Sequence, residues 1–170
     1  SSDLRLQGNK YGYQNDDSLR KHIREYYSAV SALDNSLGKL FHYLDSVKAF
    51  ENIVIFIMSD NGWFIGEHGF TSKVLAYEES VRVPLIAAGK GIEKGIRNEI
   101  VLNIDLAPTI SEICGIKANV SADGSSFAAL LSGSEIRNWR KGFVYDATKP
   151  ELGSYPLLAY IEPERKYIQT

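Results

Sequence analysis

The sequence predicts an α/β fold, a sheet flanked by helices, followed by the start of a small antiparallel subdomain. Three observations carry that prediction. Ile23, Tyr26, Tyr27, Val30, Leu33, Leu37, Leu40, Phe41, Leu44 and Val47 recur every three or four residues, the period of a long amphipathic helix. Ile53 to Met58 is an unalternated apolar run rich in β-branched residues, which suits a strand buried on both faces of a sheet. The last stretch holds three short β-leaning segments, Phe143 to Asp146, Leu157 to Ile161 and Lys166 to Ile168, separated by Pro and Gly turns as in antiparallel strands.

Composition narrows the class. The chain has 170 residues, 44% of them hydrophobic, enough for a real core and against disorder. A net charge of −2 argues against a nucleic-acid backbone or an anionic membrane as the main partner. No run of 18 apolar residues is present, so no membrane span is expected. The single cysteine, Cys114, excludes an internal disulfide and a cysteine-cluster metal site. The chain opens Ser1-Ser2-Asp3 and its final strand runs into the C-terminus. It therefore reads as a piece of a longer protein.

In order along the chain, residues 1 to 17 are polar without a period and read as a surface segment. The long helix starts at an N-cap of Asp17 or Ser18. Asp34 breaks its apolar stripe, and a carboxylate there is expected to be satisfied by the N–H groups of a neighbouring loop. After the Ile53–Met58 strand and its loop, Val81 to Ala88 contains a second short strand, with Pro84 at its start or on an edge. Gly89 to Gly95 is a connector, and Ile100 to Ile104 reads as a short strand. Asp105 is expected to cap a helix to about Cys114, with Pro108 in its first turn and Gly115 past its end. Cys114 is read as a buried structural thiol. Asn119-Val120-Ser121 fits the glycosylation triplet, and Phe127 to Leu131 reads as one or two helical turns ended by Gly133.

The chemistry gathers after the first strand. Ser59-Asp60-Asn61-Gly62 puts a carboxylate beside a carboxamide at the strand's carboxyl end, where open sheets bind ligands. A glycine-rich loop follows with Glu67, His68 and Lys73. Alone, Asp-Asn-Gly is a turn, His68 a loop histidine and Lys73 a surface amine. Together they offer oxygen ligands suited to a hard cation, with an imidazole and an ammonium for an anion. Calcium needs about 6–8 oxygens, so Asp60 and Asn61 are a partial site.

These residues carry a resemblance. The run SDNG-x-x-x-GEHG-x-x-x-K over 59–73, followed by YEES-x-R-VPLI over 77–86, resembles the second signature region of the type I sulfatases of the alkaline phosphatase superfamily. YYSAVSALDNSLGKLFHYLD upstream is similar to the long helix preceding that strand. NIDLAPTISEICGI and DGSSFAALLSG match the segments that follow. The resemblance covers about residues 20 to 135. It implies an alkaline-phosphatase-like sulfatase fold, with residues 1–135 the C-terminal part of the α/β domain and 136–170 the beginning of the C-terminal antiparallel subdomain.

Carried over by position, the resemblance implies that Asp60 and Asn61 are ligands of a divalent cation, calcium before magnesium or manganese. Lys73 would bind the sulfate ester and stabilise the departing oxygen, and His68 would support it, both counted as catalytic and substrate-binding. The implied substrate is a sulfated small molecule or glycan, and the implied setting periplasmic, secreted or lysosomal, although the residues themselves select no compartment. The family's nucleophile is a formylglycine made within Cys/Ser-x-Pro/Ala-x-Arg. That motif does not occur here, since Cys114 is followed by Gly115-Ile116-Lys117-Ala118. The formylglycine is therefore expected in a missing N-terminal half of the same protein, a required partner, and the 170 residues are expected to be inactive alone. Two rival readings are a phosphonate monoester or phosphodiester hydrolase of the same superfamily and a non-catalytic anion-binding α/β domain. Asn61 favours a calcium sulfatase, because a histidine is frequent at that position among the phosphonate hydrolases.

Overall fold

Asn15 caps a long helix. In a computed structural model of the protein, which describes residues 15–73, 75–116, 122–148 and 156–170, helix α1 spans Asp16–Ser46. Its N-cap is Asn15, two or three residues earlier than expected. The Asn15 side chain accepts from the Ser18 N–H at 2.8 Å and the Ser18 hydroxyl accepts from the Asn15 N–H, a reciprocal capping box that fixes the start. Ser18 is thus the third helical residue rather than the cap. The surface segment expected over 1 to 17 lies largely outside the described residues.

Two compact units emerge. The first comprises the described residues up to Ile53 together with Asn61–Leu85; the second comprises Val54–Asp60 and the chain from Ile86 onward.

In the first unit the N-terminal turns of α1 pack on the segment that follows Asn61. Leu19 lies against Gly66, and His22 stacks on Trp63 at 6.3 Å between ring centroids. Phe64 is completely buried and meets Phe70 edge-on at 5.8 Å, with Ala76 also buried. Farther along α1 the expected stripe is only partly covered. Tyr26, Tyr27, Val30, Leu33, Leu40 and Val47 are exposed and no residue of the helix is fully buried. Asp34 is exposed too, and its side chain makes no hydrogen bond among the described residues, so the expected loop partner is not found there. Beyond α1, the segment expected to be a plain loop contains an antiparallel pair. Strand β2 (Phe64–Ile65) pairs with β3 (Thr71–Ser72), Phe64 opposite Ser72 and Ile65 opposite Thr71. Val81, at the edge of the 81–88 stretch read as containing a strand, ends a single helical turn, α2 (Glu78–Val81).

In the second unit, β1 (Val54–Met58) pairs with β4 (Leu85–Gly89), which begins directly after Pro84 as expected of a residue that cannot donate to a ladder. Every residue of β1 is half-buried, not buried on both faces: β4 is its one neighbour in the sheet among the described residues, so one edge and part of each face stay open. Phe56 meets Phe127 edge-on at 6.2 Å. Residues 100–104 form no strand; 103–105 make a 3₁₀ turn leading into α3 (Leu106–Ile113). Helix α4 (Ala128–Leu131) follows. Strands β5 (Phe143–Ala147), β6 (Leu157–Ile161) and β7 (Lys166–Gln169) form the expected antiparallel sheet, with Val144 opposite Tyr160 and Tyr160 opposite Tyr167. β6 alternates perfectly, with Leu157, Ala159 and Ile161 buried and Leu158 and Tyr160 exposed.

Asp105 stands at the N-cap position of α3, as expected, but its side chain makes no capping bond to the helix. Its carboxylate is wholly buried and reaches in three directions. It accepts from the Leu102 N–H at 2.8 Å, from the Ser125 N–H at 2.8 Å, and from both terminal nitrogens of Arg140, the Nη2 contact being 2.7 Å. Burial by itself would raise the Asp105 pKa. The Arg140 guanidinium, with the Ser125 and Leu102 N–H groups, outweighs that and holds the pKa below the usual carboxylate value. Thr109 extends the network, donating to the Asp105 carbonyl at 2.6 Å and accepting from the Phe127 N–H at 3.0 Å. At the other end of α3, Gly115 at φ +65° closes a Schellman turn: its N–H reaches the Glu112 carbonyl and the Ile116 N–H reaches Ser111. Cys114 is the exposed C-cap of this turn rather than a buried thiol inside the helix. The Asn119-Val120-Ser121 triplet lies outside the described residues.

Candidate active site

Strand β1 delivers the chain to Asp60, which is exposed, while Asn61 is half-buried. Asn103 holds the backbone at this strand end: its Nδ2 donates to the Asp60 carbonyl at 3.0 Å and toward the Ser59 carbonyl at 3.4 Å. The next turn, Asn61-Gly62, is set by a close backbone approach. The Gly62 N–H donates to the Ser80 carbonyl at 2.8 Å. A Cβ on Gly62 would lie 2.0 Å from the Glu79 carbonyl oxygen, so only glycine fits.

The β2–β3 pair then returns the chain so that Lys73 faces Asn61. The Lys73 ammonium donates to Asn61 Oδ1 at 2.6 Å, and Asn61 Nδ2 donates to the Gly62 carbonyl at 2.9 Å. The carboxamide oxygen is thereby aimed at a cation. Both side chains are half-buried, so Lys73 is not the solvated surface amine that it would be in isolation.

His68 goes elsewhere. It sits in the turn between β2 and β3 at φ +55°, a left-handed conformation uncommon for a residue with a Cβ, flanked by Gly66 and Gly69, also at positive φ. Its ring stacks on Tyr77 at 4.3 Å and meets Phe64 edge-on at 6.3 Å. Its Nε2 contacts Glu79 Oε1 at 3.2 Å. So the fold brings Lys73 and Asn61 together and turns His68 to Tyr77 and Glu79 instead. Glu67 serves the turn itself, accepting from the Ile65 N–H at 2.7 Å.

The oxygen chemistry of Asp60 and Asn61 fits a hard divalent cation, and Asn61 Oδ1 already receives a positive charge from Lys73. Among the described residues no group of three or more His, Cys, Asp or Glu side chains could hold a metal ion. Nothing in the local sequence marks Asn103 and Gly62 as the residues that fix the strand end and its turn. The Phe-Ile and Thr-Ser pairs around Gly-Glu-His-Gly are the available signal for the hairpin.

The fold is that of the alkaline-phosphatase-like sulfatases. A protein solved in complex with its substrate D-glucosamine-2-N,6-O-disulfate is similar over 89% of this chain and 32% of its own, with a TM-score of 0.81 and 28% identity. The phosphonate monoester hydrolase of Silicibacter pomeroyi has the same TM-score, 0.81, over 92% of this chain and 34% of its own; at 20% identity the likeness is one of fold. In sequence, N-acetylglucosamine-6-O-sulfatase of Bacteroides thetaiotaomicron is 34% identical over 130 residues, 74% of this chain and 23% of that protein. Residues 66–151 match the family described as N-sulphoglucosamine sulphohydrolase, C-terminal. The chain belongs to the sulfatase family, matching its C-terminal region. It spans between about a quarter and a third of the length of these proteins.

Proposed function

We propose that the full-length protein carrying this chain hydrolyses sulfate esters, and that these residues supply cation and sulfate contacts to the reaction. A sulfated amino sugar is the substrate class supported by the named relatives, two of which act on or bind sulfated glucosamines. The single observation that carries the reading is the 2.6 Å contact between Lys73 and Asn61. It places an ammonium against a carboxamide whose chain neighbour is the strand-end carboxylate Asp60.

Asp60 and Asn61 would hold the cation, calcium before magnesium or manganese. When bound, such an ion neutralises negative charge on the transferring sulfuryl group. The Lys73 ammonium has three donors and uses one on Asn61, so two remain for sulfate oxygens and for the oxygen that leaves with the alcohol. Charge grows on that oxygen as the ester bond breaks, and a donor held in advance stabilises it without reorganisation. His68, whose ring is held by Tyr77 and Glu79 rather than by Lys73 or Asn61, would have a supporting role toward the substrate. The nucleophile is not among these 170 residues, and the formylglycine it requires is proposed for an N-terminal part, without which the chain is inactive.

Turnover of an aryl sulfate and an aryl phosphonate by the full-length protein, with calcium or manganese added, tests the reading. Sulfate hydrolysis lost in Asp60→Ala supports it. Preferred phosphonate hydrolysis would move the protein to the rival hydrolase class, and no turnover of either ester, with anion binding retained, would make it a binding domain.

A further inference from the structure

We propose that Glu79 is the positioning residue of His68, fixing the proton on Nε2 and leaving Nδ1 as the acceptor presented to substrate. The inference rests on the reading that His68 faces substrate in the full-length protein. Four observations join here. His68 is held in a left-handed backbone conformation at φ +55°. Such strain persists where surrounding contacts over-determine it, and it collects at working sites. The contacts are visible: Tyr77 stacks on one face of the ring at 4.3 Å and Phe64 meets it edge-on. The third is Glu79 Oε1, 3.2 Å from Nε2.

Glu79 is itself an anomaly. Its other oxygen, Oε2, is buried with no hydrogen-bond partner, so the bond to His68 is what offsets burial of this carboxylate among the described residues. A carboxylate can only accept. The ring nitrogen facing it must therefore carry the proton, and in the neutral imidazole the second nitrogen is then the acceptor. The ring is 44% exposed, so that nitrogen is not sealed in the core. The backbone of Glu79 is fixed as well. Its carbonyl fills the space where a Gly62 Cβ would sit, and the next carbonyl, of Ser80, accepts the Gly62 N–H. One short segment thus orients His68 through its side chain and clamps the Asn61-Gly62 turn through its main chain. The same carboxylate-to-histidine arrangement fixes ring orientation and tautomer in other active sites.

The test is the rate at which diethyl pyrocarbonate carbethoxylates His68 in the full-length protein, read by peptide mass spectrometry. Glu79→Ala frees Nε2 and is expected to raise that rate severalfold. Glu79→Gln, whose Oε1 still accepts from Nε2, is expected to keep it near wild type. An unchanged rate in Glu79→Ala overturns the proposal. Thermal melting checks the fold; if Glu79→Ala does not fold, Glu79→Asp, which withdraws the carboxylate by one methylene, takes its place. Turnover of 4-nitrophenyl sulfate supplies a second arm. Glu79→Ala is expected to lower turnover in the wild-type background and to add nothing in a His68→Ala background, because a residue acting through another loses its effect when that other is gone. Equal losses in both backgrounds also overturn the proposal. Full turnover in His68→Ala, with the modification rate still raised by Glu79→Ala, would retire His68 from the substrate site while leaving its positioning by Glu79 intact.

Discussion

Asp105 and Glu79 are both carboxylates set into folded structure, and they are treated in opposite ways. Asp105 is wholly buried and every direction its oxygens face is occupied, by two backbone N–H groups and a forked guanidinium. Glu79 is 29% exposed, makes one bond of 3.2 Å to a histidine, and leaves an oxygen buried without a partner. The first arrangement commits its whole hydrogen-bonding capacity to the protein. The second keeps some in reserve, beside a histidine with a strained backbone. A satisfied carboxylate marks architecture, and an under-satisfied one beside strain marks a place where a ligand is expected.

The largest effect should come from Asp105. Replacing it with Ala leaves the Arg140 guanidinium, 17% exposed, without its partner, and removing one member of such a pair costs about 3–5 kcal/mol. Urea denaturation measures this; a loss below about 1 kcal/mol would place the pair with ordinary surface ion pairs and erase the contrast. Acid sharpens the same point. The folded pKa of Asp105 lies below its unfolded value of about 3.9. Its stabilisation is therefore complete above the unfolded pKa and lost as pH falls through the lower, folded pKa. Asp105→Asn should flatten the acid limb of a stability–pH curve, and an unaltered limb would show that other carboxylates govern it.

Lys73→Ala belongs on the other side of the comparison. Turnover of the full-length protein should fall about a hundredfold or more, as when a preorganised oxyanion donor is removed. Its hydrogen bond to Asn61 is half-buried, so stability should drop by about 1 kcal/mol. A small turnover effect with a collapsed melting temperature would make Lys73 architectural instead. Gly62→Ala tests the link between the turn and the Glu79 segment. The added carbon meets a backbone oxygen that cannot swing aside, a clash of the kind that costs about 1–3 kcal/mol. Both the melting temperature and the reactivity of His68 should change; movement of neither would mean that the turn relaxes freely. The smallest effect is the control. Lys21 and Glu25 face each other at 3.8 Å, both largely exposed, and Glu25→Ala should alter stability by less than about 0.5 kcal/mol in the same denaturation assay.

Local periodicity makes α1 and the three C-terminal strands legible in the amino-acid sequence. The stripe from Ile23 to Val47 and the alternation in Leu157 to Ile161 are properties of near neighbours, and both elements form where expected. The candidate site residues Asp60, Asn61 and Lys73 are legible as a spacing, and the fold puts two of them in contact. What stays illegible depends on distant partners. Asp105 is the N-cap residue of α3, as its neighbours Leu106 to Ile113 imply, but the partner of its carboxylate is Arg140, 35 positions away. Cys114 reads as buried from its apolar surroundings, but the turn closed by Gly115 leaves it in solvent. Val81 falls in a stretch read as containing a strand, yet its N–H bonds the Tyr77 carbonyl and it ends a helical turn.

The unburied stripe of α1 has a consequence for the chain as a colloid. Tyr27 is 58% exposed and Leu33 57%, with Val30, Leu40 and Tyr43 adding to the same long helix. Adjacent apolar side chains in water attract one another across molecules, and only net charge opposes that attraction at distance. With a net charge of −2 and an isoelectric point near 5.9, the repulsion is weak at neutral pH and disappears in mild acid. Sulfate and phosphate salts strengthen apolar association further. The 170-residue polypeptide should therefore precipitate most readily near its isoelectric point in ammonium sulfate, and charged substitutions at Tyr27 and Leu33 should raise its solubility limit.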